Sequence, residues 1–183
     1  MGEQQLDEVL SAACLGEAWA LRVVYDELAP RVLGYLRGRG AAEPEDLTSE
    51  VFLAVLPRLA TVTGGAAGLR TLLFSVAHAR LVDDLRRRAR RGPAVALDDT
   101  TVLPTAPSAE TVAFGQAGTD RVRQVLAGLP GDQRDVLLLR LVGDLTVDEV
   151  ATAIGRSAGA VKQLQRRGLL ELRAQLADGR VTL

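Results

Sequence analysis

The sequence predicts an all-α protein: two small helical domains joined by a flexible linker, the C-terminal one containing a helix-turn-helix. Three observations predict it. Hydrophobic residues make up 48% of the 183-residue chain but aromatics only 3%, so the cores must rest on Leu, Val and Ala. That alphabet loses little on entering a helix. Apolar residues recur at helical spacing, and no alternation of period two persists anywhere. Gly and Pro cluster between the periodic segments, where they act as punctuation.

From Leu6 to Arg37 the helical spacing runs through Leu6, Val9, Leu10 and Ala13, then Ala20, Val23, Val24, Leu28, Val32 and Leu36. Pro30 predicts a kink or break in this stretch. "GRGAAEP" reads as a turn. A helix then opens near Pro44 and continues through "EDLTSEVFLAVLPRLA", its acids in the first turns where the helix dipole favours them. Thr61 to Gly68 reads as a loop. A long helix follows from Leu69, with Leu69, Leu72, Leu73, Val76, Leu81 and Leu85 on its apolar side, and Gly92-Pro93 stops it. Gly92 to about Ser108 lacks Lys and Arg and has little periodicity, which marks a linker. The predicted division is a domain over 1–91, a linker over 92–108 and a second domain over 109–183. Helix resumes around Glu110 to Leu129, Pro130-Gly131 breaks it, and "DQRDVLLLRLVG" forms another helix closed by Gly143.

Thr146 and Glu149 have the spacing of a capping box, and Gly155 permits a sharp turn. Ser157 caps the next helix, "AGAVKQLQRRGLLELRAQL". Val150, Ala151 and Ile154 are placed to pack on Val161, Leu164 and Leu172. A short helix, a tight Gly turn and a longer helix with a polar outer face form a helix-turn-helix. That outer face carries Lys162, Gln163, Arg166 and Arg167, while Ser157, Ala158, Gly159 and Ala160 keep its N-terminus small. Such a helix fits the DNA major groove, with Arg and Lys on phosphates or guanine and Gln on adenine. An amphipathic helix with a merely solvated charged face is the plainer alternative.

The net charge of −1 hides strong segregation. "LRRRARR", Leu85 to Arg91, has five arginines in seven residues, more than a helix C-terminus needs for capping. They predict a sequence-neutral phosphate contact. "AEPEDLTSE", Ala42 to Glu50, is acidic without a base, and apolar Val51, Leu53 and Val55 follow. This segment would repel DNA; it is either a solvated first turn or the seat of a basic protein partner.

Other classes are disfavoured. One His, one Cys and no Gly-rich phosphate loop after a strand assemble no catalytic site, so no enzyme, metal site or cofactor is expected. Cys14 reads as a small buried apolar residue that can form no internal disulfide. No apolar run approaches the ~20 residues of a membrane span, and "MGEQQLDEVL" lacks signal-peptide character, so no membrane insertion and a cytoplasmic location are expected.

Taken together, these motifs resemble the extracytoplasmic-function sigma factors, the smallest sigma-70-type subunits of bacterial RNA polymerase. "YDELAPRVLGYLRGRG", "PEDLTSEVFLAVLPRL" and "LLFSVAHARLVDDLRRRARR" resemble region 2. "LAGLPGDQRDVLLLRLVGDLTVDEVATAIGRSAGAVKQLQRRGLLELR" resembles region 4. The resemblance implies that core RNA polymerase meets Asp46, Glu50, Val51, Leu53 and Arg58. It implies −35 contacts from Ser157, Ala160, Lys162, Gln163, Arg166 and Arg167, and −10 contacts from Arg70, His78, Arg80, Arg86, Arg87, Arg88, Arg90 and Arg91. The Thr61 to Gly68 loop would capture an unstacked −10 base. Promoter DNA and an anti-sigma factor complete the implied partners. This chain departs from the family with Leu72 in place of a frequent Trp, Ala77, His78 and Ala79 in place of an "AR-N" stretch, Ala160 for Thr and Leu164 for Arg. A stand-alone helix-turn-helix repressor or activator is the rival reading. It gives the arginine tail, the acidic patch and the linker no purpose, and no dimerisation heptads are present.

Overall fold

The computed structural model describes residues 3–91, 125–126 and 128–177, which are helical with short connections; no strand occurs among them. A first lobe comprises α1 (Glu3–Cys14), α2 (Ala18–Gly38), α3 (Pro44–Val55) and α4 (Gly65–Arg91), with a 3-10 turn, Leu56–Thr61, between the last two. A second comprises α5 (Gly131–Leu141), α6 (Val147–Ile154) and α7 (Ala158–Ala177). The linker expected over 92–108 lies outside the described residues, as does most of the helix expected over 110–129. Residues 125–126 are helical, and Leu126 and Leu129 are buried.

Two boundaries differ from the sequence reading. The predicted break at Pro30 is absent: α2 runs straight through it. Pro30 sits on the exposed face, so water can reach the carbonyl that its missing N–H leaves unpaired. The chain turns earlier, at Gly16, whose φ of +84° suits a residue without a Cβ. The predicted Thr61 to Gly68 loop is also shorter, because Thr61 belongs to the 3-10 turn and α4 begins at Gly65. Asp7 of α1 starts that helix, its Oδ1 accepting the Ala66 N–H at 2.6 Å. This cap is remote in sequence, so local pattern does not reveal it. Gly68 permits the tight return, since a Cβ there would lie 1.8 Å from the Thr63 carbonyl oxygen.

The helix-turn-helix forms as its capping signals dictate. Thr146 Oγ1 accepts the Glu149 N–H at 3.3 Å, and Glu149 Oε2 accepts the Thr146 N–H at 2.6 Å. Gly155 closes α6 at φ +65° in the left-handed region. Thr146→Ala removes half of this reciprocal cap and is expected to cost about 1 kcal/mol. For a chain of this size that lowers the thermal midpoint by about 2–4 °C, measurable by circular dichroism.

Within the first lobe, Val24, Val32, Leu36, Val51, Leu69, Leu73 and Leu81 are fully buried; in the second, Val136, Leu139, Leu145, Val150 and Val161 are. The two sets belong to one continuous apolar core. Gly34 and Gly38, four residues apart and so on one face of α2, let the lobes meet. A Cβ on Gly34 would stand 3.1 Å from Val142 Cγ1, and one on Gly38 would stand 2.9 Å from both methyls of Leu138. Arg31 of α2 adds an ion pair to Asp144, at 3.6 Å.

Candidate nucleic-acid and polymerase interface

The face of α7 is built by what packs beneath it. Val161 is fully buried, Leu164 and Leu172 are half-buried, and Gly168 brings α7 against α5, a Cβ there falling 2.9 Å from Leu137 Cδ1. The opposite side presents Lys162, Gln163, Arg166 and Arg167 to solvent. Ser157 caps the helix, its Oγ accepting the Ala160 N–H at 3.2 Å, and Ala160 is half-buried beside it. Ser157 therefore orients the cationic row as well as standing at its end. Beside the row, Leu169 and Leu170 are exposed and line a groove with Lys162, Gln165, Arg166 and Arg173.

The arginines of the first lobe do not act as one set. Arg86, Arg87 and Arg90 are exposed at the end of α4; the Arg91 side chain lies outside the described residues. Arg88 turns back, donating to the Gly40 carbonyl at 2.7 Å and pairing with Asp84 at 3.1 Å, so it ties α4 to the end of α2. Arg80 pairs with Glu50 of α3 at 3.2 Å. Arg70 is half-buried.

Asp46, Glu50, Leu53 and Arg58 all reach the surface, and Leu53 is 73% exposed. Val51, read from sequence as part of the same surface, is a correction: it is fully buried in the core of the lobe. Residues 50 and 53 face outward on α3 while 51 and 55 face inward, as a period of 3.6 requires. On the acidic side, the Arg37 guanidinium beside Glu45 holds its carboxyl below the ordinary range.

His78 is the clearest displacement from expectation. It lies apart from the arginine tail, in a polar cluster where the lobes meet. Tyr35 Oη is 2.9 Å from His78 Nδ1 and 2.8 Å from Asp135 Oδ1; Arg39 Nε is 2.5 Å from the same Asp135 oxygen. Tyr35 has one hydroxyl proton, and the carboxylate can only accept it, so His78 supplies Nδ1–H to the phenol oxygen. Burial first, then Asp135, pushes the Tyr35 phenol well above its usual range, which keeps that proton in place. The sequence reading missed Tyr35, Arg39 and Asp135. One signal existed: Asp135 stands in "DVLLLR" beside Val136, Leu137, Leu138 and Leu139, all buried, and a carboxylate at such a position demands a partner.

Burial lowers the His78 pKa most, with Arg39 and Arg156 lowering it further while Asp135 and Asp132 raise it. The folded protein thus binds fewer protons than the unfolded chain just below the ordinary histidine value of about 6.5. Stability is accordingly full above that value and falls as the pH drops toward the depressed folded pKa, then levels. The thermal midpoint is expected to decline as the pH falls through about 6.5, and the part of that decline due to His78 to vanish in His78→Gln.

Two family models match this chain. The family described as "Sigma-70 region 2" matches residues 24–91, and "Sigma-70, region 4" matches residues 125–174. The ECF RNA polymerase sigma factor SigD of Mycobacterium tuberculosis (strain ATCC 25618 / H37Rv) is 31% identical over 96% of this chain and 86% of its own length. The ECF RNA polymerase sigma factor ShbA of Streptomyces griseus is 32% identical over 87% of this chain and 88% of its own. Among solved structures, CnrH in complex with the cytosolic domain of CnrY shares the fold, with a TM-score of 0.65 at 20% identity over 94% of this chain and 97% of that one. Sigma factors are transcription initiation factors rather than catalysts. With region 2 in its first lobe, region 4 in its second and relatives above 30% identity matched over most of their length, the chain belongs to the extracytoplasmic-function, sigma-70-type RNA polymerase sigma factors.

Proposed function

We propose that this chain binds core RNA polymerase, seats its second lobe at the −35 element and its first at the −10 element, and helps open the start site. Its own side chains perform no chemistry, and it acts in the cytoplasm, where polymerase and promoter meet. The observation that carries the reading is the joint presence of both regions with an exposed cationic row on α7. Lys162, Gln163, Arg166 and Arg167 supply the −35 contacts, with Ser157 and Ala160 allowing close approach of the helix N-terminus. Arg86, Arg87 and Arg90 hold phosphates near −10. Asp46, Glu50, Leu53 and Arg58 meet the polymerase. An anti-sigma protein is the third partner; the groove of Leu169 and Leu170 with its cationic rim suits an acidic amphipathic helix.

Run-off transcription with core enzyme on a promoter library tests the whole. The expected result is transcription from a subset of templates sharing −35 and −10 elements. Binding to DNA without core, together with indifference to core, would instead identify a repressor.

A further inference from the structure

Helix α1 lies outside both matched regions, which span 24–91 and 125–174, yet it holds the loop that the resemblance assigns to the −10 base. Leu6, Leu10 and Ala13 bury one stripe of α1 in the core. Asp7 and Cys14 lie along one edge of that stripe, seven residues and so about 10 Å apart. Each meets a different end of the same loop. At its entry, Cys14 Sγ donates to the Leu59 carbonyl of the 3-10 turn at 3.4 Å. The same oxygen accepts the Val62 N–H at 3.0 Å, so α1 braces the point where the turn ends. At its exit, Asp7 Oδ1 accepts the Ala66 N–H. Gly65 leaves the carboxylate its place, since a Cβ there would lie 2.5 Å from Oδ1. Between the two anchors only residues 62–64 are outside a helix. The groove beside them carries, on its first-lobe wall, the hydroxyls of Thr61, Thr63, Thr71 and Ser75 and the apolar Leu72. Hydroxyls for the edge of a base and an apolar group for its face suit an extruded nucleotide.

We infer that α1 is a positioning element for promoter opening: Asp7 and Cys14 fix the two ends of the −10 loop, so that its groove is shaped before the base arrives. The inference rests on the sigma-factor reading for its purpose. Both residues act through the loop backbone and not on the DNA. A loop released at one end populates other conformations, and only the competent fraction captures a base.

The test uses the full chain reconstituted with core polymerase. Promoters carrying 2-aminopurine in the −10 element report opening, and templates varied at each −10 position report base preference. Asp7 is exposed, so Asp7→Ala opens no cavity. It is expected to leave core affinity and −35-dependent binding unchanged, to slow opening about fivefold and to flatten the −10 base preference by a similar factor. Asp7→Asn is expected to restore both, because its side-chain oxygen still accepts the Ala66 N–H. Cys14→Ala frees the other end. It is expected to shift the same preference by about twofold, since a thiol is the weaker donor. A general loss of stability would lower activity on all templates alike and leave the preference intact. Wild-type base preference in both Asp7→Ala and Cys14→Ala therefore overturns the inference. So does an Asp7→Asn chain as impaired as Asp7→Ala. Failure of the wild type to open any promoter with core enzyme overturns the sigma-factor reading itself.

Discussion

Replacing Arg166 and Arg167 together with Ala is expected to weaken promoter binding by about thirtyfold or more while leaving association with core polymerase unchanged. Both guanidiniums are exposed on the outer face of α7, on the side away from the α5 contact at Gly168, so their loss removes ligand contacts without opening a cavity. Each well-placed contact to a base edge or phosphate contributes about 1–3 kcal/mol, and two such losses set the expected scale. The salt dependence separates the kinds of contact. If both arginines hold phosphates, the slope of log affinity against log salt shrinks by about two, and all sequences suffer alike. If they read bases, the slope holds and discrimination among −35 sequences declines. Binding to a labelled promoter by the reconstituted holoenzyme across a salt series reads both. Loss of core binding in parallel would contradict the division of labour between the lobes.

How much of this was legible in the sequence follows from the range of the forces involved. The helix-turn-helix was, because its signals are local: Thr146 with Glu149, Gly155 and Ser157 each act within four residues. The cationic row was legible for the same reason, since a period of 3.6 decides which side chains share a face. Val51 shows the limit of reading a patch as a run, because its neighbours Glu50 and Phe52 already point in different directions. Asp7 capping α4 and Arg88 returning to Gly40 join residues 59 and 48 positions apart, and nothing local announces either. His78 combines both lessons. Its place on α4 was plain, but its partners come from α2 and, about a hundred residues after Tyr35, from α5. Long-range pairing of single polar groups leaves no periodic trace. It is inferred at best from an anomaly such as a carboxylate among leucines.

That carboxylate carries the second large effect. Asp135→Ala is expected to destabilise the closed protein by about 3–5 kcal/mol, because it strands a buried cation instead of merely deleting a contact. Arg39 exposes only 10% of its side chain and Asp135 only 5%, so water cannot replace the lost oxygen. The Tyr35 hydroxyl loses its acceptor in the same step. Since the cluster spans the seam, the loss falls on the coupling between lobes more than on either lobe. Calorimetry of the wild type is expected to give one cooperative transition, and Asp135→Ala two, with the lower well below the original midpoint. Replacing the cluster as a unit, with Tyr35→Phe, Arg39→Met and Asp135→Leu, leaves no buried charge unpaired and is expected to recover most of the stability. Its lobes should then hold together by apolar contact and the Arg31–Asp144 ion pair, without the buried hydrogen bonds of the cluster. A triple variant as unstable as Asp135→Ala would show that packing at the seam, and not the stranded guanidinium, sets the penalty.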